Sequence, residues 1–393
     1  MTDENIIIPE EFKDISPIPD SEFKEKMASL VKEPGFKHAV RYVMPDVNYD
    51  EFISHLLTIS TKEDFQIKVM MPFLEMLQRK TSDGLSAGGI DNLSRNSAYT
   101  FISNHRDIVL DASFLNLALL RENFSSTEVA IGNNLLIFDW IETLVKLNKS
   151  FIVKRDVTMR QALEAAIQLS SYIHFTIAKK NQSLWIAQRE GRAKDSNDKT
   201  QESLLKMLGL SGGGDLVSNL LDINLLPVSI SYEYDPNDYL KATEFLLKKK
   251  NPSFKKSQRD DLFSMETGLL QNKGIIHFEF APCINSELLK VNRSEEKTEL
   301  VKTICNIIDK SIHSHYKIFP CNYIAYDHIN HTKRFADQYS NADSKHFESY
   351  LQHQLSKVEI PNLSQEDKDY IMTMMLTMYA NPLVNKLAAK QAK

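Results

Sequence analysis

The sequence predicts an α/β protein in which helices flank a mostly parallel sheet, with helical extensions at both ends. In the middle of the chain, short runs of β-forming residues alternate with stretches of helical periodicity, which is the pattern of a parallel sheet. Both ends show apolar residues at helical spacing instead. The chain has 393 residues, of which 42% are hydrophobic and 25% charged, so it can bury a sizeable core.

Three regions follow from this change of pattern. We expect residues 1–93 to form a helical segment that ends in a linker at 81–93, where three glycines and several turn formers cluster. Residues 94–290 form the predicted α/β domain. Residues 291–393 form a predicted C-terminal helical extension, in which Ser364 and Asp367 indicate a capping box at the start of a helix.

The β-forming runs and the longer helices can be placed by number. The predicted strands lie at 98–104, 149–155, 184–188, 225–234 and 274–280, and the predicted helices include 111–121, 159–179 and 370–379. We expect Pro227 to open its strand, because the first residue is one of the few strand positions that tolerate proline.

Composition and charge limit the partners and the compartment. The formal net charge is −5, so the chain lacks an overall basic field, and we expect no nucleic-acid partner. The three cysteines cannot all pair within one chain, which indicates a reducing, cytoplasmic setting. The chain contains no run of about 18 apolar residues, so any contact with the cell membrane would be peripheral. Segment 246–259 carries six cations around Phe254, and it is either an anionic-membrane contact or a solvated loop.

A histidine and two aspartates follow the first predicted strand. His105 comes directly after an apolar run, and Asp107 and Asp111 follow it where a helix is expected to begin. A loop histidine can present one ring nitrogen to a substrate hydroxyl, while a carboxylate on the other nitrogen fixes the tautomer and stabilises the imidazolium. The segment therefore predicts a general base. A His near an Asp is more often structural, so the assignment depends on the rest of the chain.

Two adjacent cations end the second predicted strand. Lys154 and Arg155 close the run at 149–155. Because strand ends of open α/β sheets face the ligand crevice, this pair suits a phosphate, with the arginine as the bidentate partner. A solvated strand end is the alternative interpretation.

A charged turn follows the third predicted strand. It contains Glu190, Gly191, Arg192 and Lys194. The glycine allows a tight turn or a close approach to a ligand, and the cations could hold a phosphate while the glutamate positions one of them. Taken alone, the segment is an ordinary charged turn.

Together and in this order, the segments resemble the four sequence blocks of the glycerol-phosphate and lysophosphatidate acyltransferase superfamily. The first block, N-H-x-x-x-x-D, is matched by Asn104, His105 and Asp111. The further matches are Phe151, Ile152, Lys154 and Arg155 in the second block, Glu190, Gly191 and Arg192 with a looser Lys194 in the third, and Pro227 with Val228 in the fourth. The resemblance covers residues 94–290, about half of the chain, and implies an acyltransferase-like α/β fold.

Two features depart from the family pattern. Five residues separate His105 from Asp111 where the family has four, which leaves Asp107 as a second candidate partner. The apolar helix that follows favours Asp111. The third block runs from Arg192 directly into Ala193 and Lys194 without the usual hydroxyl residues, so its detailed phosphate contacts are not carried over.

The resemblance implies an enzyme of phospholipid biosynthesis that moves a fatty acyl group from a thioester to a hydroxyl. The donor would be acyl-CoA or acyl carrier protein, and the acceptor glycerol 3-phosphate or a lysophosphatidate. His105 would be the general base beside Asp111 or Asp107, and no acyl-enzyme would form. The implied phosphate site consists of Lys154, Arg155, Glu190, Gly191, Arg192 and Lys194. We expect no cofactor and no metal, since the chain has no H-E-x-x-H motif.

Two alternatives to this function stay open. The first is an O-acyltransferase that acts on an acylated amino-acid lipid. The second is a catalytically inactive, lipid-binding homologue, which the unusual His–Asp spacing favours.

Overall fold

A seven-stranded sheet forms the centre of the protein, whose computed structural model describes residues 6–155 and 158–391 without the side chain of Met159. The strands are β1 (Gly84–Gly88), β2 (Thr100–Ser103), β3 (Glu128–Gly132), β4 (Ser150–Val153), β5 (Leu184–Ala187), β6 (Leu225–Tyr232) and β7 (Ile275–Phe280). Their order across the sheet is β1-β7-β6-β2-β5-β3-β4. Within the described residues, β6 and β7 are antiparallel and the other neighbouring strands are parallel.

Helices cover both faces of the sheet and form both ends of the chain. The N-terminal helices are α1 (Asp20–Leu30), α2 (Pro34–Val43), α3 (Tyr49–Leu56), α4 (Lys62–Phe65) and α5 (Met71–Thr81), and a π-helical turn, Gln66–Met70, joins the last two. The helices between strands are α6 (Leu110–Arg121), α7 (Asp139–Leu147), α8 (Met159–Ala178), α9 (Glu202–Leu208), α10 (Leu216–Asp222), α11 (Asp238–Lys250) and α12 (Gln258–Leu270). The C-terminal helices are α13 (Asn285–Leu288), α14 (Lys297–Ser314), α15 (Pro320–Ile329), α16 (Asn341–Ser356) and α17 (Gln365–Gln391).

Alternate side chains of the strands enter two hydrophobic cores, one on each face of the sheet. Ile102 and Leu184 belong to the core that includes α8 and α14. Their neighbours in the chain, Phe101 and Trp185, belong to the core that includes α5 and α6. Strands buried on both faces need apolar residues at every position, which explains the continuous apolar runs of the sequence.

Each end of the chain also has a core of its own. Phe23 and Phe36 of the N-terminal helices pack with Leu147 of α7. Phe347 and Tyr379 of the C-terminal helices pack with Leu246 of α11. Both ends therefore join the α/β layers through a helix that lies between strands, and the domain boundaries at 93 and 290 stay a prediction.

The predicted fold class is confirmed by this architecture. The predicted strands appear as β2, β4, β5, β6 and β7, and the predicted helices lie in α6, α8 and α17. The expected capping box is also present. The backbone N–H of Ser364 donates to Asp367 Oδ2 at 3.2 Å, and the N–H of Asp367 donates to Ser364 Oγ at 3.1 Å.

Two strands of the sheet were not predicted. β1 lies inside residues 81–93, which the sequence presented as a linker. Its composition, GLSAG, carries no strand signal, and parallel pairing with β7 stabilises it, for example with Ser86 opposite His277. β3 begins with the buried, ion-paired Glu128, which interrupts the apolar pattern expected of an inner strand.

Pro227 is the third residue of β6 and does not open the strand as predicted. It lies opposite Ile102 of β2, and its carbonyl oxygen accepts the N–H of Ala281 at 3.0 Å on the other side. The N–H that proline lacks would point to this same side. The ladder pairing of β6 with β7 begins one residue later, at Val228, so the missing N–H lies at the end of the ladder and costs at most one bond there.

The sheet places the candidate site residues at one edge. β2, β4 and β5 run in the same direction and end at Ser103, Val153 and Ala187. His105 follows the first of these ends, and the cationic segments follow the other two. Open α/β sheets bind their ligands at this carboxyl edge.

Candidate active site

His105 lies in the loop between β2 and α6. Its Nδ1 is 2.8 Å from Oδ2 of Asp111 in the first turn of α6. The Asp111 side chain is fully buried, whereas 13% of the His105 side chain is exposed. The same Oδ2 accepts the backbone N–H groups of Arg106 and Asp107 at 2.6 and 3.0 Å, which fixes the loop together with the ring. An acceptor at Nδ1 selects the tautomer protonated there, so Nε2 keeps its lone pair.

The alternative partner, Asp107, has a different set of contacts. Its Oδ1 accepts the backbone N–H groups of Val109 and Leu110 at 2.9 and 2.8 Å, so the carboxylate caps the start of α6. Burial raises the pKa of Asp107, and the charge of Asp111 raises it further. The geometry therefore pairs His105 with Asp111 and leaves Asp107 in a capping position.

Two neighbouring side chains hold this loop from the side of the sheet. The amide group of Asn104 donates to the carbonyl oxygen of Ile230 at 2.9 Å and accepts its N–H at 2.8 Å, which joins the loop to β6. The Trp185 ring stands edge-on to the His105 ring, with 5.8 Å between centroids, and its Nε1 donates to Ser103 Oγ at 2.9 Å. The imidazole thus has a packed and hydrogen-bonded position.

The segments after β4 and β5 meet at the same edge. Nη1 of Arg155 lies 3.5 Å from Oε1 of Glu190. Both side chains are partly exposed, at 33% and 64%, and an exposed ion pair of this length contributes at most about 1 kcal/mol. Arg155 can therefore exchange this partner for an anionic ligand. Gly191 has a φ of 66°, a left-handed conformation that glycine adopts at low cost.

The two lysines of the predicted phosphate site are bound to acidic side chains. Lys154 forms an ion pair with Asp14 and donates to Gln168 Oε1 at 3.0 Å. Lys194 forms an ion pair with Glu244 of α11, and burial lowers the pKa of Lys194 against the opposing effect of this carboxylate. A phosphate would have to displace these acids before it could bind either lysine.

Arg192 is the predicted phosphate ligand best placed to receive an anion. Its Nη1 is buried and has no hydrogen-bond partner among the described residues. Its charge opposes the rise in the pKa of Asp107. Arg192 and His105 line the same cavity. A buried N–H group without an acceptor is costly, so an anionic ligand in the cavity would satisfy it.

One cavity of about 910 Å³ brings these groups together. His105, Arg155 and Arg192 line it, as do Lys154, Glu190, Gly191 and Lys194. The rest of the lining is largely apolar and comes from both sides of the sheet edge; it includes Leu74, Trp140, Leu144, Leu169, Leu262 and Met265. The volume is that of a small-molecule site. A cationic part next to a long apolar wall suits a ligand with an anionic head and a hydrocarbon chain.

A second histidine contacts a carboxylate outside this cavity. Nε2 of His277 lies 2.8 Å from Oε2 of Glu279, and its Nδ1 lies 2.8 Å from Oγ of Ser86. These residues are neighbours along β7 and across to β1, and none of the three lines the cavity. A His–carboxylate contact therefore does not identify the site without a cavity in front of the ring.

Sequence reasoning missed two features of the site. The apolar wall contains residues of α5, α7 and α12, which no strand-end argument would select. The buried ion pair of Arg106 with Asp198 also lies directly behind the His105 loop. The only signal for it was an arginine directly after the histidine, and spacing cannot identify a partner 92 residues away.

Known proteins show little similarity to this chain. No protein-family model and no curated protein matches the chain. Among solved structures, the chain is similar to the crystal structure of the 1-acyl-sn-glycerophosphate (LPA) acyltransferase PlsC from Thermotoga maritima, with 13% identity and a TM-score of 0.38 over 73% of this chain and 91% of that one. A similarity at this level assigns neither a family nor a substrate to this chain.

Helix length and polarity bear on membrane contact. Between residues 6 and 155 and between 158 and 391, no helix is both long and apolar enough to cross a bilayer.

Proposed function

We propose that the protein is an acyltransferase that moves a fatty acyl group from a thioester to the hydroxyl of a glycerol-phosphate-type acceptor. The observation that carries the proposal is the position of His105. Its Nδ1 is bound to the buried Asp111, and the ring lines a cavity that also contains Arg155, Arg192 and a long apolar wall. The order of the four sequence blocks supports the same reaction.

In the proposed reaction, Nε2 of His105 takes the proton of the acceptor hydroxyl while the oxygen attacks the carbonyl carbon of the thioester. A C–O bond forms, and the carbonyl oxygen takes up the negative charge of a tetrahedral intermediate. The intermediate collapses with cleavage of the C–S bond, and the imidazolium returns its proton to the departing thiolate. Asp111 stabilises the imidazolium through Nδ1–H, and no residue of the protein becomes acylated.

Arg192 and Arg155 are the proposed ligands of the acceptor phosphate. Among the described residues, one buried N–H group of Arg192 has no hydrogen-bond partner, and Arg155 forms a weak, partly exposed ion pair with Glu190 that it can give up. Lys154 and Lys194 would contribute after leaving their acidic partners. The acyl chain of the donor would lie along the apolar wall, because burying its methylene groups is favourable by about 0.8 kcal/mol each.

The test measures thiol release from an acyl-CoA with and without acceptor. His105→Ala should lower the acceptor-dependent rate by about 10²–10⁴, the usual contribution of a general base. Asp111→Asn should lower it by a similar factor, because the amide no longer stabilises the imidazolium. An unchanged rate in the histidine variant would show that the mechanism is wrong.

A matched control and an acceptor panel complete this experiment. His277→Ala removes a histidine that also contacts a carboxylate but lies outside the cavity, so its rate should equal that of the wild type. Glycerol 3-phosphate, a lysophosphatidate and an acylated amino-acid lipid, tested in parallel, separate the two transferase alternatives. A wild-type protein that shows no acceptor-dependent release would be the inactive homologue.

We further propose that the protein meets an anionic membrane surface near the start of α12. The basic segment before this helix is partly neutralised, because Lys248 contacts Glu244 at 2.9 Å and Lys250 contacts Asp367 at 2.6 Å. On α12, however, Phe263 is 48% exposed, and its neighbour Leu262 lines the cavity. An exposed apolar side chain thus lies next to a residue of the cavity wall.

Sedimentation with vesicles tests this surface. The wild type should bind phosphatidylglycerol vesicles more tightly than phosphatidylcholine vesicles, and Lys255→Gln should weaken binding by roughly fivefold, since one cation near an anionic surface contributes about 1 kcal/mol. Phe263→Ser should also weaken binding. Leu210→Ser is the matched control, because Leu210 is similarly exposed, at 44%, but does not line the cavity. Equal losses in both serine variants would contradict the proposal.

A further inference from the structure

We infer that Arg106 is a positioning residue, which holds the loop of His105 against the segment of Arg192 and is itself fastened by the C-terminal helices. This inference rests on the proposed functions of His105 as the general base and Arg192 as a phosphate ligand. It also assigns a role to the C-terminal helical extension, which the sequence leaves unexplained.

The side chain of Arg106 joins two segments of the site. Its Nη1 donates to Oδ1 of Asp198 at 3.1 Å, and its Nη2 lies 2.6 Å from Oδ2 of the same carboxylate. Arg106 is 5% exposed and does not line the cavity, so it has no contact with a ligand there. It follows His105 directly, and Asp198 lies six residues after Arg192. A bidentate pair of this kind fixes both distance and orientation.

The C-terminal helices hold the carboxylate of this pair. The hydroxyl of Tyr316, just after α14, donates to Asp198 Oδ2, and its ring centre lies 5.7 Å from the guanidinium carbon. Nε2 of His313 lies 2.8 Å from the backbone oxygen of Asp198. Two residues later, Thr200 donates through its N–H and its hydroxyl to Oδ1 of Asp309, at 2.7 and 2.6 Å.

A second attachment fixes the backbone of the same loop. Nζ of Lys241, on α11, donates to the carbonyl oxygen of Arg106 at 2.9 Å and forms an ion pair with Asp235. The backbone N–H of Asp235 donates in turn to the hydroxyl of Tyr379 on α17, at 3.1 Å. The residue next to the general base is thus attached through its side chain and through its backbone.

These contacts determine a distance that the sheet alone does not fix. The proposed base follows β2 and the proposed phosphate ligand follows β5, so each sits on its own loop. A buried ion pair is weak support for stability, since its desolvation offsets its attraction. The ion pair instead fixes the distance between the two loops. This is important because a displacement of 1 Å between reacting groups can lower the rate by about 10².

The test uses inorganic phosphate as the probe and the modification of His105 by diethyl pyrocarbonate as the readout. In the wild type, phosphate bound near Arg192 should protect His105, and mass spectrometry resolves this protection from that of the other histidines. Arg106→Lys keeps the positive charge but cannot bind both carboxylate oxygens of Asp198 at once. Tyr316→Phe removes one hydrogen-bond donor to Asp198. In both, the phosphate concentration for half protection should rise by about tenfold, in line with a small displacement of one loop.

The chain offers a matched control at the amino edge of the sheet, outside the residues that line the cavity. Glu128, at the start of β3, is buried, accepts the hydroxyl of Tyr172 at 2.6 Å and forms an ion pair with Lys180. Tyr172→Phe therefore makes the same chemical change away from the cavity and should leave the protection unchanged. Unaltered protection in Arg106→Lys and Tyr316→Phe, equal loss in the control, or a wild-type His105 that phosphate does not protect would each overturn the inference.

A rate measurement separates this inference from the proposed function. In Arg106→Lys, the rate of acyl transfer from an acyl-CoA to glycerol 3-phosphate should fall about tenfold or more relative to the rate of hydrolysis of the same thioester. Hydrolysis uses water, which carries no phosphate that has to be positioned. A merely destabilised protein would lose both rates together. If the wild type transfers to no acceptor while the protection pattern holds, the proposed function fails and the positioning role stands. If Arg106→Lys transfers as fast as the wild type, the positioning role fails alone.

Discussion

At the scale of single residues, the protein separates two aspartates that lie close together in the sequence. Both follow His105 within six positions, and the pattern of the helix that follows favoured Asp111. The contact at Nδ1 agrees with that choice. The sequence could not predict the position of Asp107, because the direction of the backbone at the start of α6 determines which carboxylate receives the N–H groups of Val109 and Leu110.

Substitutions at Asp107 should separate capping from catalysis. In Asp107→Asn the amide oxygen can still accept both N–H groups, so we expect a folded protein whose rate stays within a few-fold of the wild type. Asp107→Ala removes the cap and should lower the free energy of unfolding by about 1 kcal/mol. Denaturant unfolding and the thiol-release rate measure the two effects. A loss in Asp107→Asn as large as that in Asp111→Asn would reverse the assignment of the partner.

At the scale of elements, α12 lies over the start of α6 and forms part of the cavity wall through Leu262 and Met265. Gly268 makes this approach possible. A Cβ atom at this position would lie 1.9 Å from Oδ2 of Asp107, which is buried and held by its capping bonds. The wall of the cavity and the cap of α6 are therefore packed together at one glycine.

Gly268→Ala should destabilise the protein although alanine is the better helix former. Helix propensity alone would stabilise this variant by up to about 1 kcal/mol, whereas overpacking of this kind costs about 1–3 kcal/mol. We expect a net loss in the free energy of unfolding and a slower transfer rate, because α12 must move. The loss should disappear in the Asp107→Ala background, where the clashing oxygen is absent. A stabilised single variant would show that α12 is not in contact here.

At the scale of the whole molecule, the sequence predicted five of the seven strands of the described sheet and the edge that carries the candidate site. Both follow from local signals, namely apolar runs and the polar residues that succeed them, such as His105 and Arg155. The cover of that edge could not be predicted. Leu74 of α5 lines the cavity, and Tyr316, just after α14, holds Asp198. The docking of both segments depends on long-range packing that leaves no local pattern.

The attachment of the C-terminal helices should also make stability depend on pH through Asp238. This buried carboxylate of α11 accepts hydrogen bonds from Tyr379, Tyr350 and Gln354 at 2.8, 2.9 and 2.6 Å. Burial, with a further effect of Asp235, raises the pKa of Asp238 to about 6. The folded state therefore favours the protonated form, and the stability this group contributes below about pH 4 is lost as the pH rises through 6.

Comparison with Asp238→Asn isolates this effect, because the amide does not titrate. The difference in the free energy of unfolding, variant minus wild type, should increase by about 2–3 kcal/mol between pH 4 and pH 7, as expected for a pKa shift of this size. Chemical denaturation at several pH values measures the difference. A difference that stays constant over this range would show that Asp238 has an ordinary pKa in the folded protein.

The attachment of the His105 loop to Tyr316 has a consequence for the newly made chain. Tyr316 follows Arg106 by 210 residues, and Tyr379 comes later still. Chains fold from the N-terminal side while the ribosome is still extending them. The sheet edge and its imidazole therefore emerge long before the helices that immobilise them. We expect His105 in each nascent molecule to lack this fixed position until Tyr316 has left the ribosome and packed against Asp198.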